Sequence, residues 1–436
     1  MTNASRGTPP PRVFIGLTEI AGFYGNLAAG LREVGVRATF VDLERHPFEY
    51  APGDQTWIVR LARWTSRRRS DAKGGFVGWI VMWKLVNRLT LAALFIWAVA
   101  RHDAFIFGFR TSFFRLRSLP ILRWFGKKVI FVFNGSDARP SYIDGADMDP
   151  ARGLSIDGCI QLARAKKVQI ARIERWSTVV VSHALYLHLF ERPAAGFQVL
   201  GLAQPLLADY PAVAPEPPEP PIRILHSPSN PTVKGSEVIH AAVGRLIEEG
   251  LPLQLIETRD MPNRVVHEQL QTCHFVVDQL YSDGPMLGFA AEAALYGKPA
   301  VVGSYGWDEI LRLMPAGHRA PVEGCHPDDI ESAIRRLATD AAHRRSLGLA
   351  ARQFVEAWAG EEVARRYLRL LSGERPPDWM CDPSDVRYVQ GVGLSEQRAR
   401  EIVGAVIDSG GVGALQVGDK PRLEAAFLEF VSAPEP

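Results

Sequence analysis

Short, continuous apolar runs recur along the chain, separated by stretches with helical spacing. Val13–Leu17 and residues 37–43, 103–107, 129–133 and 178–181 are such runs. None shows the strict alternation of a strand with one wet face, so each predicts a strand covered by helices on both sides. Residues 18–26 form a glycine-bearing turn after the first run, with a helix expected to about residue 34 and another over 159–176. The rhythm restarts at 222–225, with strands expected at 253–257, 275–277 and 299–302. Helices are expected to open at Lys234-Gly235 and to cover 265–272, 288–296, 328–338, 341–358 and 361–371. Strand–helix alternation, twice over, predicts an α/β protein built of two Rossmann-like, doubly wound parallel sheets.

The break between them is the Pro-rich stretch ending PAVAPEPPEPP, an extended connector and not a packed element. It divides the chain into residues 1–208, a linker at 209–221, a second domain at 222–372 and a C-terminal extension at 373–436. Charge divides there too. Lys and Arg exceed Asp and Glu by 12 in residues 1–210 and fall short by 10 in 211–436. A basic half implies an anionic partner: a membrane surface, a phosphorylated acceptor or nucleic acid. The extension carries YVQGVGLSEQRAREIV, a glycine turn leading into a helix, as in a helix-hairpin-helix. It is not strongly basic, so a packing extension is expected and no nucleic acid partner. At 436 residues, 47% hydrophobic and 22% charged, the chain is expected to fold into two or three globular domains. Cys159, Cys273, Cys325 and Cys381 are too scattered for a disulfide scaffold or zinc knuckle, which suits a reducing compartment.

Residues 76–100 are long and apolar enough to cross a bilayer, yet Lys84, Asn87 and Arg88 share one face near the middle. The stretch reads as a buried domain helix, as an interfacial or cleft-lining helix, or as a span. Arg60, Arg63, Arg67, Arg68, Arg69 and Lys73 precede it, interleaved with Trp57 and Trp64. Residues 60–88 are therefore either a headgroup-binding segment for an anionic membrane or a solvated basic loop. The polar, Pro-rich start of the chain does not resemble a secretory leader, so a cytoplasmic protein, peripheral at the inner membrane face, is expected.

Ligands of open α/β sheets bind at the carboxyl ends of the strands. Four loops there carry candidate chemistry. Gly22, Phe23, Tyr24 and Gly25 follow the first strand, either as a ligand loop opening a helix or as a tight turn. Asn134, Asp137 and Arg139 follow 129–133, either as hydroxyl and anion contacts or as an Asx turn. Ser229, Asn230, Lys234 and Gly235 follow 222–225, where a lysine near a helix N-terminus suits a diphosphate. Asp283, Gly284, Pro285, Met286, Leu287 and Gly288 follow 275–277 and lead to Glu292, the lone carboxylate of an apolar helix and a candidate ribose ligand. The acidic pair Asp147 and Asp149 sits in a loop with no strand before it and reads as loop, not metal site.

The segment HSPSNPTVKGS (226–236), followed by VVDQLYSDGPMLGFAAEAALYGKPAVV (276–302), resembles family 4 glycosyltransferases of the GT-B fold. The glycine loop, ERHPFEY (44–50) and LRWFGKKVIFVFNGSDARP (122–140) agree, so the resemblance covers about residues 12–372. It implies transfer of a sugar from a nucleotide diphosphate donor to a glycan or lipid-linked acceptor, with retention of configuration and no metal or other cofactor. It implies that Lys234 neutralises the diphosphate, that Glu292 holds the ribose, that residues 284–288 lie along the donor, and that Gly22 and Gly25 line the opposite wall. Asn134, Asp137 and Asp283 are the candidate catalytic groups. Three positions depart from the family. Asp283 stands one residue before the expected first Glu of the acidic motif, no Arg precedes Lys234, and Asn134 stands where a histidine often stands. These departures open a second reading, a catalytically inactive sugar-nucleotide binder or partner subunit. A third is a GT-B sugar-nucleotide epimerase.

Overall fold

The computed structural model describes residues 10–43, 53–72, 74, 76–109 and 111–433. The ERHPFEY segment and Lys73 lie outside the described residues. The first lobe carries β1 (Val13–Leu17), β2 (Ala38–Asp42), β3 (Ala104–Gly108), β4 (Lys128–Val132), β5 (Val179–Ser182) and β6 (Ala194–Gly196). The second carries β7 (Ile222–His226), β8 (Leu253–Glu257), β9 (Phe275–Gln279), β10 (Ala300–Gly303) and β11 (Glu323–Cys325). A last strand, β12 (Met380–Cys381), pairs antiparallel with β6. The sheet orders are β12-β6-β5-β4-β3-β1-β2 and β11-β10-β9-β7-β8. Every pairing except β12–β6 is parallel. Strand order reverses beside β1 in one sheet and beside β7 in the other, and a crevice opens at the carboxyl edge of each reversal.

Both faces of the first sheet are covered, which is why its strands read as unbroken apolar runs. All five residues of β1 and of β3 are buried. Phe14, Phe105, Phe107 and Phe113 cluster on one face, while Val13, Ile15 and Ile106 meet Tyr24 and Leu27 on the other. Helix Phe23–Glu33 crosses helix Gly360–Ser372 so closely that a Cβ on Gly30 would lie 1.9 Å from the Gly360 carbonyl oxygen.

That crossing differs from the division expected at residue 372. The chain returns to the first lobe before then: Val363, Ala364, Tyr367, Leu370 and Leu371 lie in its core. The extension continues there. Ala399, Ile402, Val403, Val406, Leu423 and Phe427 join the core on the other face, around helix Ile156–Trp176. The linker is also docked and not free. Ala214 N donates to Tyr296 O at 3.1 Å, and the fully buried Arg344 pairs with Glu216 at 2.8 Å and with Glu219. The basic segment before residue 76 is a helix, Trp57–Asp71, and not a loop. It packs along helix Val77–Arg101.

Candidate functional site

Each lobe presents its loops to the other at the carboxyl edges. In the second lobe, Asn230 caps the short helix Pro231–Lys234, its Oδ1 accepting from Val233 N at 3.2 Å. Gly235 then takes φ 72°, a left-handed turn, and its missing Cβ leaves room for Leu280 Cβ, which would otherwise be 2.7 Å away. The chain re-enters a helix at Ser236. The expected single helix from Lys234 is thus two, split at the glycine. The turn aims Lys234 Nζ at Asp278 Oδ1, 2.8 Å away near the end of β9. Asp278 is buried, and its Oδ2 has no hydrogen-bond partner.

Glu292 lies half-buried on helix Gly288–Leu295, where Asn263 Nδ2 donates to its Oε1 at 3.0 Å. Burial pushes its carboxyl up to about 7, with the Asp278 charge adding to the rise against the pull of the Asn263 hydrogen bond. Lys234 pairs with Asp278, whose charge is felt at Glu292, while the helix after Lys234 and the helix bearing Glu292 cover opposite faces of the sheet. Ser229 is exposed. Gly284, Pro285 and Met286 are buried, and Leu287 and Gly288 are half-buried. A Cβ on Gly288 would lie 3.9 Å from Ala21 Cβ of the first lobe, so this loop lies close to the glycine turn opposite.

The first lobe departs further from expectation. The amides expected to meet a ligand are taken by Glu19, which the sequence reading passed over. Its carboxylate accepts from Ile20 N (2.7 Å), Tyr24 N (3.1 Å) and Gly25 N (2.8 Å). Burial pushes Glu19 up to about 7 against those three donors. Gly22 supplies the left-handed turn at φ 75°. Phe23 and Tyr24 are buried rather than presented to a ligand, and Tyr24 OH donates to Asn134 Oδ1 at 2.9 Å. Asp137 ties its own loop together, accepting from Asn134 N (3.0 Å) and Gly135 N (2.9 Å), amides that precede it and not the one two residues on that an Asx turn takes.

Arg139 and Asp283 were expected as an anion contact and a catalytic acid. They bind each other across the crevice instead. Arg139 Nη2 donates to Asp283 Oδ1 at 2.9 Å, and Nε donates to Oδ2. The guanidinium also stacks 4.1 Å over the Tyr186 ring and lies 3.6 Å from Asp144 Oδ2. Asn230 makes a second tie between lobes, its Nδ2 donating to Asp149 Oδ2 at 2.8 Å. Asp147 is held by Lys166 at 2.6 Å, so this acidic pair is committed to structure. Among the described residues, no group of three or more His, Cys, Asp or Glu is placed to hold a metal ion.

The glycine turn of the extension makes the third tie. Val392 N donates to Ile143 O (3.0 Å) in the first lobe, and Gly393 N donates to Tyr281 O (2.9 Å) in the second. Gly145 N donates to Val392 O at 2.8 Å. These amides, which a helix-hairpin-helix would offer to a phosphate backbone, are spent between the lobes. A crevice of about 270 Å³, lined by Ala184, Gln198, Arg312 and Met380 among others, includes no predicted site residue.

Two sheets of this topology, joined by one connector and crossed back by the helix after the second, form the GT-B arrangement. No family model matches the sequence, and no curated protein does. Among solved structures, the chain is similar to HepE of Anabaena in complex with UDP-glucose, at 10% identity over 84% of this chain and 100% of that one, with a TM-score of 0.48. It is similar to the catalytic domain of starch synthase IV from Arabidopsis thaliana bound to ADP and acarbose, at 10% identity over 84% and 100%, TM-score 0.44. It is similar to a putative UDP-N-acetylglucosamine 2-epimerase from Listeria monocytogenes, at 14% over 85% and 99%, TM-score 0.41. Identities this low leave the chemistry to be argued from the site itself.

Proposed function

We propose that this chain is a glycosyltransferase that moves a sugar from a nucleotide diphosphate donor to a glycan or lipid-linked acceptor, with retention and without a metal. The observation that supports the reading is the Lys234–Asp278 pair beside the strand-order reversal at β7, with the half-buried Glu292 carboxyl on the helix that follows β9 in the same lobe. A diphosphate entering there competes with Asp278 for the Lys234 ammonium, which is 17% exposed. The amides that open helix Gly288–Leu295 face the same negative charge. Glu292, once ionised, accepts from both ribose hydroxyls in place of Asn263. As the bond from the anomeric carbon to the diphosphate breaks, the growing charge on the leaving oxygen is met by Lys234 and those amides.

A second reading is favoured by one observation. Arg139 and Asp283 neutralise each other, both buried, where the reacting sugar belongs. A protein that stays so closed binds a sugar nucleotide without turning it over.

A panel of nucleotide sugars, read by thermal shift and by nucleoside diphosphate release with and without membrane extract, separates the two. Shift with acceptor-dependent release supports transfer, and shift without release supports the inactive binder. Lys234→Ala and Glu292→Ala are expected to weaken donor binding more than Asn134→Ala. Equal affinity in all three variants removes the site assignment.

A further inference from the structure

Helices Trp57–Asp71 and Val77–Arg101 form an antiparallel hairpin on the first lobe. Only its base belongs to the lobe's core, through Ile58, Val59 and Ala62 from one helix and Leu94, Phe95 and Ala98 from the other. Arg101 lies just before β3, so the longer helix ends at the amino edge of the sheet and runs antiparallel to the strands. At about 1.5 Å per residue, its last ten residues span about 15 Å, the length of a five-residue strand. The part from Val77 to Leu91, about 21 Å, projects past the carboxyl edge, the edge that faces the crevice.

The projecting tip is built the wrong way round for water. Three of its uncharged polar side chains turn inward: Asn87 Nδ2 donates to Thr65 Oγ1 (3.2 Å) and Ser66 Oγ (2.9 Å). Trp83 packs edge-on against Trp64 and Trp79 at 5.3 and 5.8 Å. Its outward face is apolar. Val81, Leu85 and Leu89 follow one another at four-residue spacing and are 57%, 57% and 63% exposed. Phe76, Val77 and Trp79 stand exposed at the turn, Phe76 at 82%. Arg60, Arg67, Arg68, Arg69, Lys84 and Arg88 are all exposed on the same hairpin, and Asp71 is the only acid in residues 57–101.

We propose that this hairpin docks the protein on an anionic lipid bilayer. The apolar face enters the boundary between headgroups and acyl chains, and the arginines and lysine meet the headgroup charge. The projecting part, at about 21 Å, is shorter than the roughly 30 Å hydrocarbon layer, which argues for lying in the interface and against a span. A second copy of the chain is disfavoured by charge, since two such faces would set like cations against each other. Docking itself is independent of the catalytic reading. Its consequence, that the acceptor is carried by a lipid in that bilayer, rests on the transferase reading, because tip and crevice share one edge of the sheet.

Full-length protein sedimented with vesicles of phosphatidylcholine, alone or with about one-third phosphatidylglycerol, tests this. Binding is expected to the anionic vesicles only, and to weaken with salt. The triple variant Arg67→Glu, Arg68→Glu, Arg69→Glu is expected to bind about 100-fold or more weakly. Tryptophan emission is expected to be quenched by brominated acyl chains, and this quenching to be lost in Val81→Ser, Leu85→Ser, Leu89→Ser. Absence of sedimentation at low salt overturns the proposal. So does undiminished binding by the arginine variant, or a dimer that the serine variant dissociates while vesicles leave the protein in solution. Donor thermal shift on the same samples keeps the two ideas apart. Vesicle binding without any donor response sinks the transferase reading alone, and donor response without vesicle binding sinks docking alone.

Discussion

Removing the Arg139 guanidinium is the perturbation whose consequence the structure specifies most closely. Arg139 and Asp283 are buried, their side chains 8% and 1% exposed, and join two lobes 144 residues apart in sequence. Breaking a buried pair by deleting one partner costs about 3–5 kcal/mol, because the survivor is left charged and dry. The two deletions are unequal here. Arg139→Met strands both Asp283 and Asp144, and burial already pushes Asp144 upward. Asp283→Leu leaves Arg139 with Asp144 and the Tyr186 ring. Arg139→Met is therefore expected at the upper end of that range and Asp283→Leu at the lower. The double variant should recover the Asp283 part of the loss, since a buried pair replaced by apolar groups is often neutral, and keep about 1–2 kcal/mol for Asp144, still without the guanidinium. Urea unfolding followed by tryptophan emission, with a double-mutant cycle, measures this. A cycle with coupling below about 0.5 kcal/mol, or an Asp283 variant worse than the Arg139 variant, refutes the reasoning.

Nucleotide affinity is expected to fall about tenfold from pH 8 to pH 6, because Glu292 is raised to about 7 and accepts ribose hydroxyls fully only when ionised. Its contribution to apo stability runs the other way, present below its unfolded pKa and lost as pH rises through about 7; titrating Glu292→Gln beside the parent checks both, and a variant that keeps the parent's pH-dependent affinity counts against the role. Gly235→Ala, with φ 72° and Leu280 Cβ at 2.7 Å, is expected to cost about 2 kcal/mol or more and to lower donor affinity by moving Lys234, as read by melting and titration. Gly393→Val, whose Cβ would sit 2.4 Å from Val233 Cγ1, is expected to expel the glycine turn at 388–394, the wedge between the lobes, and to speed proteolysis there; unchanged cleavage would show the wedge is not packed there.

The strands were legible because both faces of each sheet are covered, so β1, β3, β4 and β9 appear as plain apolar runs, misplaced by a residue or two at most. β6, β11 and β12 span three, three and two residues, too short to leave a pattern. Helix Trp57–Asp71 escaped notice for a different reason. Its inward face includes Thr65 and Ser66, which satisfy Asn87 and so look like solvent-facing positions. The stripe of Val363, Tyr367 and Leu370 announces a helix but not which lobe receives it. At the site, Lys234 and Glu292 stood out by residue type and place. Their partners Asp278 and Asn263 did not, since no local spacing couples them, and Glu19 looked like an ordinary loop acid. Arg139 and Asp283 were each visible as charged groups on carboxyl-edge loops. Their union was not, because a pairing across lobes leaves no mark on either loop.

That union bears on whether a closed crevice argues against catalysis. Deleting one partner and opening the crevice are different events. Deletion strands a charge in a dry site, whereas opening returns both charges to water, and the Coulomb energy lost is largely offset by the hydration regained. The pair therefore specifies the closed register strongly and resists opening weakly. The same holds for Asn230 and Asp149, which exchange one hydrogen bond for water. The wedge differs, because Val392 and Gly393 bond both lobes and Tyr388 is buried between His188 and Gly306. Parting the lobes at that point exposes apolar surface as well as amides, which water does not make good. The opening that admits a donor should then hinge at the wedge and part at Arg139–Asp283, leaving Lys234 and Glu292, which lie within one lobe, undisturbed.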